Sequence, residues 1–473
     1  MFQNYPGGSI DVLLSHSYFL ADDRREQQIM RPYPPLGLLC LSAWFEKHGI
    51  VHEVFDSTFY SAQQQRERLL ELRPRVLALY ANLMTKTKAI ELMQFVRSHE
   101  ALKHTLVLLG GPDVTHNAEA YLDAGAHLIA VGEGEQTALE VVMEARNDCP
   151  DFSWVAGVVY RLPDGMLQRN APREKLRELD ELPFPARHNI DLSLYLEAWK
   201  KAHGQSAVSI STQRGCPYTC RWCSTAVYGQ SYRRRSPQNV ADEIEMLQKQ
   251  YKFDLIWFVD DVFTVSHKWL REFHDVLKDR NLSIAFECIT RADRMNAEVI
   301  QLLRDSGCFR VWIGAESGSQ TVIDAMDRRV DVQQVQRMIR TVRDAGIQAG
   351  TFIMLGYPGE TEEDIRQTVA HLKAANPDLF TITVAYPIKG TGLFEEVQAV
   401  SNVSELDWNT TSDRDIEFKR TYPRRYYNYA VRWTVNSVHW HKARMSGRMF
   451  APSSIKFGMK TALARVGMLI NRF

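Results

Sequence analysis

Three cysteines lie within eight residues of one another, Cys216, Cys220 and Cys223, in RGCPYTCRWC. Three thiolates on one tight loop suit three irons of a [4Fe–4S] cluster and leave the fourth iron open to an outside ligand. A zinc site would need a fourth protein ligand, normally from a second cysteine pair or a histidine pair. None follows nearby, although spacing alone leaves His188 and His203 as candidates. Cys40, Cys149, Cys288 and Cys308 are scattered, so the seven thiols do not form a disulfide framework. Cys288 and Cys308 read as small core hydrophobes. A reducing cytoplasm fits this usage.

The elements around the cluster must position it. From Ala207 short apolar runs alternate with helical patterns: AVSIST (207–212), LIWFVDD (255–261), IAFECITR (284–291), VWIGAES (311–317), GTFIMLG (350–356) and LFTITVAYP (379–387). Between them lie amphipathic stretches such as SPQNVADEIEMLQKQY (236–251) and DVQQVQRMIRTVRDAG (331–346). Six such units over 206–400 predict a partial (β/α)6 barrel, since a full eight-unit barrel needs about 250 residues. The cysteines follow the first strand, at the end of such barrels that carries the chemistry.

Residues 1–150 alternate in the same way. IDVLLS, VHEVFDS, RVLALY, TLVLLGG and HLIAVGEGE read as strands, and GLLCLSAWFEKHG (37–49) as a helix. A Rossmann-like α/β domain with a parallel sheet is expected. Residues 151–205 read as a connector with a hairpin around RLPDGM (161–166) and a proline-rich LPFPAR (182–187). Residues 401–473 read as a basic, aromatic, helical extension.

The C-x3-C-x2-C spacing in this barrel resembles the radical S-adenosylmethionine (SAM) superfamily. The resemblance implies that the open iron binds the amino and carboxylate groups of SAM, and that reduction yields a 5′-deoxyadenosyl radical. It also implies roles at the strand ends. Trp222 takes the aromatic position beside the adenine. Asp260 and Asp261 stand where the methionine amine is contacted, and a carboxylate suits an ammonium. Arg291 would pair with the SAM carboxylate. Glu316 and Ser317 would bind ribose or the amine. Gly356, Pro358, Gly359 and Glu360, in MLGYPGET, would lie near the adenine. Each has a plainer alternative: a helix cap for either aspartate, an ion pair for Arg291, a turn for Gly359 and Glu360.

The N-terminal domain before such a barrel resembles the cobalamin-binding radical SAM enzymes. RPYPPLGLLCLSAWFEKHG (31–49), LLGGPDVT (108–115) and VGEGEQTALE (131–140) carry the resemblance. It implies that Gly110, Gly111, Gly132 and Gly134, with Glu133, let a nucleotide tail or corrin edge approach the backbone. The chain departs from the Asp-x-His-x-x-Gly pattern that supplies an axial imidazole: Asp11 and His16 are five apart and no glycine follows in place. His16 is therefore not expected to be the axial ligand. The alternative is a Rossmann domain kept for substrate or partner contacts. Dinucleotide binding is disfavoured, because no G-x-G-x-x-G opens a helix after the first strand.

Over all 473 residues, 57 basic and 57 acidic side chains cancel. The balance is uneven. Residues 421–473 hold ten Arg or Lys and no Asp or Glu, which leaves 47 basic against 57 acidic groups in the rest. Ile455, Met459, Ala462, Val466 and Leu469/Ile470 fall roughly on one face of a helix, with Lys456, Lys460 and Arg465 elsewhere. That pattern suits either an anionic membrane surface or packing on the acidic barrel. Nucleic acid is not expected as a partner. No window reaches the roughly 18 apolar residues of a membrane span, and MFQNYPGGS lacks the basic and apolar regions of a secretory signal.

Together these features predict an enzyme with a [4Fe–4S] cluster, SAM and cobalamin that methylates an unactivated carbon. It would be served by a flavodoxin- or ferredoxin-type reductant, in the cytoplasm or at the inner membrane face. The sequence resembles anaerobic magnesium-protoporphyrin monomethyl ester cyclases and hopanoid C-3 methylases, which points to a small, hydrophobic lipid or tetrapyrrole substrate. The alternatives are oxidative cyclisation or C–C bond formation without methyl transfer, and, from another class, an iron–sulfur electron-transfer or sensing protein.

Overall fold

The computed structural model describes residues 10–224, 229–400, 407–447 and 450–472. The N-terminal MFQNYPGGS lies outside them.

The first sheet has strands β1 (Val12–His16), β2 (His52–Phe55), β3 (Val76–Tyr80), β4 (Leu106–Gly110) and β5 (Leu128–Ala130), all parallel, in the order β2-β1-β3-β4-β5. Strands buried on both faces read as continuous apolar runs, as in VLALY and LVLLG. The helices of this half are α1 (Arg24–Ile29), α2 (Leu36–Lys47), α3 (Ala62–Leu72), α4 (Lys86–Ser98), α5 (Val114–Ala124) and α6 (Gly134–Glu144). α2 and α6 cover one face through Leu39, Phe45, Ala138 and Val141. α3, α4 and α5 cover the other through Leu69, Ile90, Met93 and Tyr121.

The sheet does not stop near residue 150. β6 (Val158–Arg161) pairs antiparallel with β5, and β7 (Leu167–Arg169) with β6, so the hairpin read as connector is the edge of the first domain. A turn sequence identifies a hairpin but not the sheet edge it joins. The true crossover follows, and contains α7 (Leu192–His203).

β8 (Ala207–Ile210) starts the second sheet. It continues through β11 (Leu255–Phe258), β12 (Phe286–Thr290), β13 (Cys308–Glu316), β14 (Gln348–Leu355) and β15 (Leu379–Val384) in the parallel order β15-β14-β13-β12-β11-β8. Between β8 and β11 a short ladder of β9 (Gln213–Arg214) and β10 (Arg233–Arg234) closes the cysteine loop at its neck. The helices are α8 (Pro237–Gln250), α9 (His267–Asp279), α10 (Ala297–Asp305), α11 (Gln320–Ala325), α12 (Val332–Asp344), α13 (Glu362–Ala375) and α14 (Gly392–Val400). α8 starts at a Ser236 cap with Pro237 in its first turn, and α13 at a Thr361–Asp364 capping box. Their apolar stripes, such as Val335, Ile339 and Val342 on α12, fill one core with the outward faces of the strands.

The C-terminal region forms a helical hairpin, α15 (Arg424–Met445) and α16 (Pro452–Ile470). Tyr426, Tyr427, Ala430, Val438 and Met468 enter the barrel core, so this basic region is integral to the second domain.

Candidate functional site

The cysteine loop leaves β8 and is held by Asp260, at the end of β11. The Asp260 carboxylate accepts from the backbone amides of Thr212 (2.7 Å) and Gln213 (3.2 Å), from the Thr212 hydroxyl, and from Ser211 Oγ at 3.3 Å. Arg234 Nη2 lies 3.8 Å away. Asp260 thus braces the stem of the loop. Gly215 forms its neck, with φ +81° and the Ser231 carbonyl 2.0 Å from where a Cβ would sit. Beyond it Cys216 is buried, Cys220 half-buried and Cys223 exposed.

Among the described residues no three Cys, His, Asp or Glu side chains converge on a single metal ion. A cluster does not require this, because each thiolate takes a different iron. His188 bonds Glu46 and His203 bonds the carbonyls of Ile29 and Met30. Burial lifts the Cys216 thiol above its ordinary value. The Cys223 residue is exposed at the loop surface, but its thiol is crowded by surrounding protein and by Asp261, the other thiols and Glu316, and is pushed up to about 12. Such thiols ionise when a positive centre takes their protons' place.

Standing positive charge is already there. Arg291 Nη1 lies 3.6 Å and Arg328 Nη1 3.5 Å from Cys220 Sγ. Both guanidinium groups are buried. Arg291 is fixed by Asp293 (2.8 Å) and the Arg328 carbonyl (2.8 Å), with its Cζ 3.9 Å from the Tyr218 ring centre. Arg328 donates to the Gly314 carbonyl at 2.9 Å and lies 3.6 Å from Glu316. Arg328 was not among the expected site residues. It follows α11 in an unremarkable MDRRV, and its partner Cys220 is 108 residues away.

Glu316 ends β13 with φ +62°, next to a register shift against β14. A non-glycine residue in that region is strained and calls for a reason. Its carboxyl is lifted by burial, opposed by Arg328 and Arg291. Asp261 projects into the cavity, and crowding by protein together with Asp260 raises it too. Trp222 packs with Val322, Met326, Tyr357 and Leu393, 5.5 Å from the Arg328 guanidinium.

Other expected residues turn inward. The Ser317 hydroxyl bonds Thr368 (3.1 Å) and accepts from the Ser319 amide. Glu360 accepts from the Gly356 amide at 2.6 Å and closes its own turn, in which Gly356 and Gly359 have φ of +82° and +80°. Burial pushes the Glu360 carboxyl up to about 8.

The ends of the first sheet face this loop. A cavity of about 450 Å³ is lined by Gly110, Gly111, Gly132, Glu133 and Gly134 on one side, and by Ser211, Gln213, Gly215, Asp260 and Asp261 on the other. Ala78, Leu108, Ala130 and Ala138 form an apolar recess behind the glycines. Gly111 has no substitute: φ is +119° and a Cβ would lie 2.2 Å from the Ala81 carbonyl oxygen. Gly132, at φ +93°, faces open space. Gln213 is buried, and among the described residues neither polar atom of its side-chain amide has a hydrogen-bond partner.

Glu133 holds the two domains together. It meets Arg233 at 2.6 Å and Arg214 at 3.7 Å and accepts from the Leu176 amide at 2.8 Å. Burial works against its charge, and these partners outweigh burial and lower its pKa. Glu135 also pairs with Arg214. A second cavity of about 480 Å³ shares the Leu36–Leu38, Tyr80 and Val259 walls and adds Tyr18, Tyr33, Pro34, Pro35 and Met84. His16, on its edge, has both ring nitrogens engaged: Nε2 with Asp56 (2.9 Å), Nδ1 with the Tyr18 amide (3.1 Å) and Ser57 Oγ (3.1 Å).

Residues 210–372 match the model of the Radical SAM superfamily. The chain is 27% identical to an uncharacterized methyltransferase of Pyrococcus horikoshii, over 82% of this chain and 83% of that protein. It is 26% identical to an anaerobic magnesium-protoporphyrin IX monomethyl ester cyclase of Rubrivivax gelatinosus, over 78% and 67%. Its fold is that of OxsB, a cobalamin-dependent S-adenosylmethionine radical enzyme solved with aqua-cobalamin bound, with a TM-score of 0.74, 15% identity and coverage of 97% and 80%.

Proposed function

We propose that this chain, which carries a radical SAM domain over residues 210–372, is a cobalamin-dependent methyltransferase acting on an unactivated carbon. The observation that carries the reading is the shared cavity. The cysteine loop of one sheet and the glycine turns of the other open into one space, so a radical source and a methyl carrier would be neighbours.

When bound, the cluster supplies the electron that splits SAM into methionine and a 5′-deoxyadenosyl radical, and cobalamin supplies the methyl group. The chain's part is to hold and orient. Cys216, Cys220 and Cys223 would hold three irons. Asp261 and Glu316 offer carboxylates to the SAM ammonium, and Arg291 and Arg328 offer guanidinium groups to its carboxylate. The glycine turns admit a bulky group against the backbone, and Ala78, Leu108, Ala130 and Ala138 give its flat end a dry recess. The Gln213 side-chain amide, unpartnered among the described residues, would offer a donor and an acceptor to a bound corrinoid.

The second cavity, lined by Tyr18, Tyr33, Tyr80, Pro34, Pro35 and Met84 but also by Glu26, Arg31 and Arg414, supports a largely apolar substrate that carries polar groups, of lipid or tetrapyrrole type. A flavodoxin- or ferredoxin-type donor would deliver the electron. No helix among the described residues is long and apolar enough to cross a membrane. The basic C-terminal region would bring the enzyme to the inner membrane face from the cytoplasm.

The test is anaerobic reconstitution with iron, sulfide and cobalamin, then reduction with methyl-labelled SAM and host lipid or pigment extract. 5′-Deoxyadenosine release and label in one apolar product are expected. Nucleoside release without label or retained corrinoid would replace methyl transfer by cyclisation or C–C bond formation. An intact, redox-active cluster that never cleaves SAM would leave an electron-transfer or sensing protein.

A further inference from the structure

The catalytic reading leaves one surface unused. α16 packs inward through Ala464, Gly467 and Met468, all buried, and a Cβ at Gly467 would sit 2.3 Å from the Tyr429 ring. Arg465 pairs with Glu362 and ties the helix to the start of α13, just past the Gly356–Glu360 turn. On the opposite face lie Ile455, Met459, Leu463, Val466, Leu469 and Ile470, each between 51% and 75% exposed. At 100° per residue they form one continuous apolar stripe along the whole helix. A stripe of that length belongs against another apolar surface.

Charge decides which surface. Lys456 and Lys460 flank the stripe on one side, Arg465 and Arg472 on the other, and residues 421–473 contain no acidic group. A second copy would bring the same exposed Lys456, Lys460 and Arg472 up against their own kind, with no acidic group on the helix to pair them, and repel. An anionic lipid surface complements both the stripe and its borders. We infer that α16 lies flat on an anionic bilayer, with its six large apolar side chains among the acyl chains and Lys456, Lys460 and Arg472 at phosphate level. The inference deepens the reading of a peripheral enzyme with an apolar substrate and rests on it for its biological sense, but its test does not depend on activity. Because α16 is anchored two residues past Glu360, docking would hold the barrel at a fixed height above the lipid.

The experiment is flotation of the reconstituted full-length protein with phosphatidylcholine vesicles, with and without phosphatidylglycerol. Binding is expected only with phosphatidylglycerol, and should weaken with salt. Leu463→Glu with Val466→Glu should abolish it. Lys456→Gln and Lys460→Gln should each weaken it about fivefold. All four positions are exposed, so 5′-deoxyadenosine formation should be unchanged. A Met459→Trp variant reports insertion separately, as a blue shift of its emission on adding anionic vesicles. Undiminished flotation of the double glutamate variant, or no blue shift, would overturn the inference. So would a dimer by light scattering that the double variant dissociates, since that makes a second copy the occupant. Vesicle binding by a protein that cleaves no SAM would defeat the catalytic reading alone.

Discussion

Arg328 stands 3.5 Å from the sulfur of Cys220, close enough to donate to it, while its other terminal nitrogen holds the Gly314 carbonyl. A buried cation against a cluster ligand stabilises the thiolate and favours the reduced, more negative state of a bound cluster. Arg328→Gln should lower the rate of 5′-deoxyadenosine formation roughly 10–100-fold, the usual scale for partners of metal ligands. It should also shift the cluster's midpoint to more negative potential in an EPR-monitored titration. Equal potentials in wild type and variant would reduce Arg328 to a packing role.

Asp260 and Asp261 are adjacent and should behave differently. Asp260→Asn replaces an acceptor of two backbone amides with a group that is half donor. A buried carboxylate bond of this kind is worth about 1.5–3 kcal/mol. The variant should lose thermal stability and bound iron together. Asp261→Asn should keep its iron and bind SAM more weakly. Iron analysis and SAM titration separate the two, and identical behaviour would contradict the division of labour.

Glu360 makes stability depend on pH. Its carboxyl sits at about 8 in the fold against 4.5 ordinarily, so the folded chain holds a proton that the unfolded chain has released. The stabilisation is complete below about 4.5 and is lost as pH rises through about 8. Glu360→Gln keeps an acceptor for the Gly356 amide and carries no charge. Its melting temperature should fall less than that of wild type between pH 6 and about 8.5. Parallel pH profiles would show that Glu360 is ionised in the fold.

Gly111 and Gly132 both have positive φ, but only Gly111 is crowded. Gly132→Ala should cost about 1 kcal/mol, the price of the backbone conformation. Gly111→Ala adds a clash with the Ala81 carbonyl and should cost over about 3 kcal/mol. Denaturant midpoints rank them, and equal losses would mean that the β4 turn can shift.

The cysteine spacing and the six barrel strands were readable because each is local: a ligand set on one loop, and apolar runs of strand length between helical stripes. What the strand-end residues bond to was not. Position alone marked Ser317 and Glu360 as ligand-facing, yet their hydrogen bonds run to α13 and to their own turn, while Asp260 and Glu133 line the cavity but also brace the loop stem and the domain boundary. Arg328 escaped notice for the converse reason, since its partners are distant in sequence. The stripe on α16 was visible as periodicity, but periodicity does not say which face is covered, and the covered face is the one with Ala464, Gly467 and Met468.

The clasp of Arg214 and Arg233 on Glu133 and Glu135 joins the two rims of the cavity through the neck of the cysteine loop. Any ordering of that loop by iron would reach the glycine turns opposite through these ion pairs. Thermodynamic reciprocity makes the traffic two-way: if loading the cluster tightens corrinoid binding by some factor, corrinoid must tighten iron retention by the same factor. The two cofactors would then protect each other from loss.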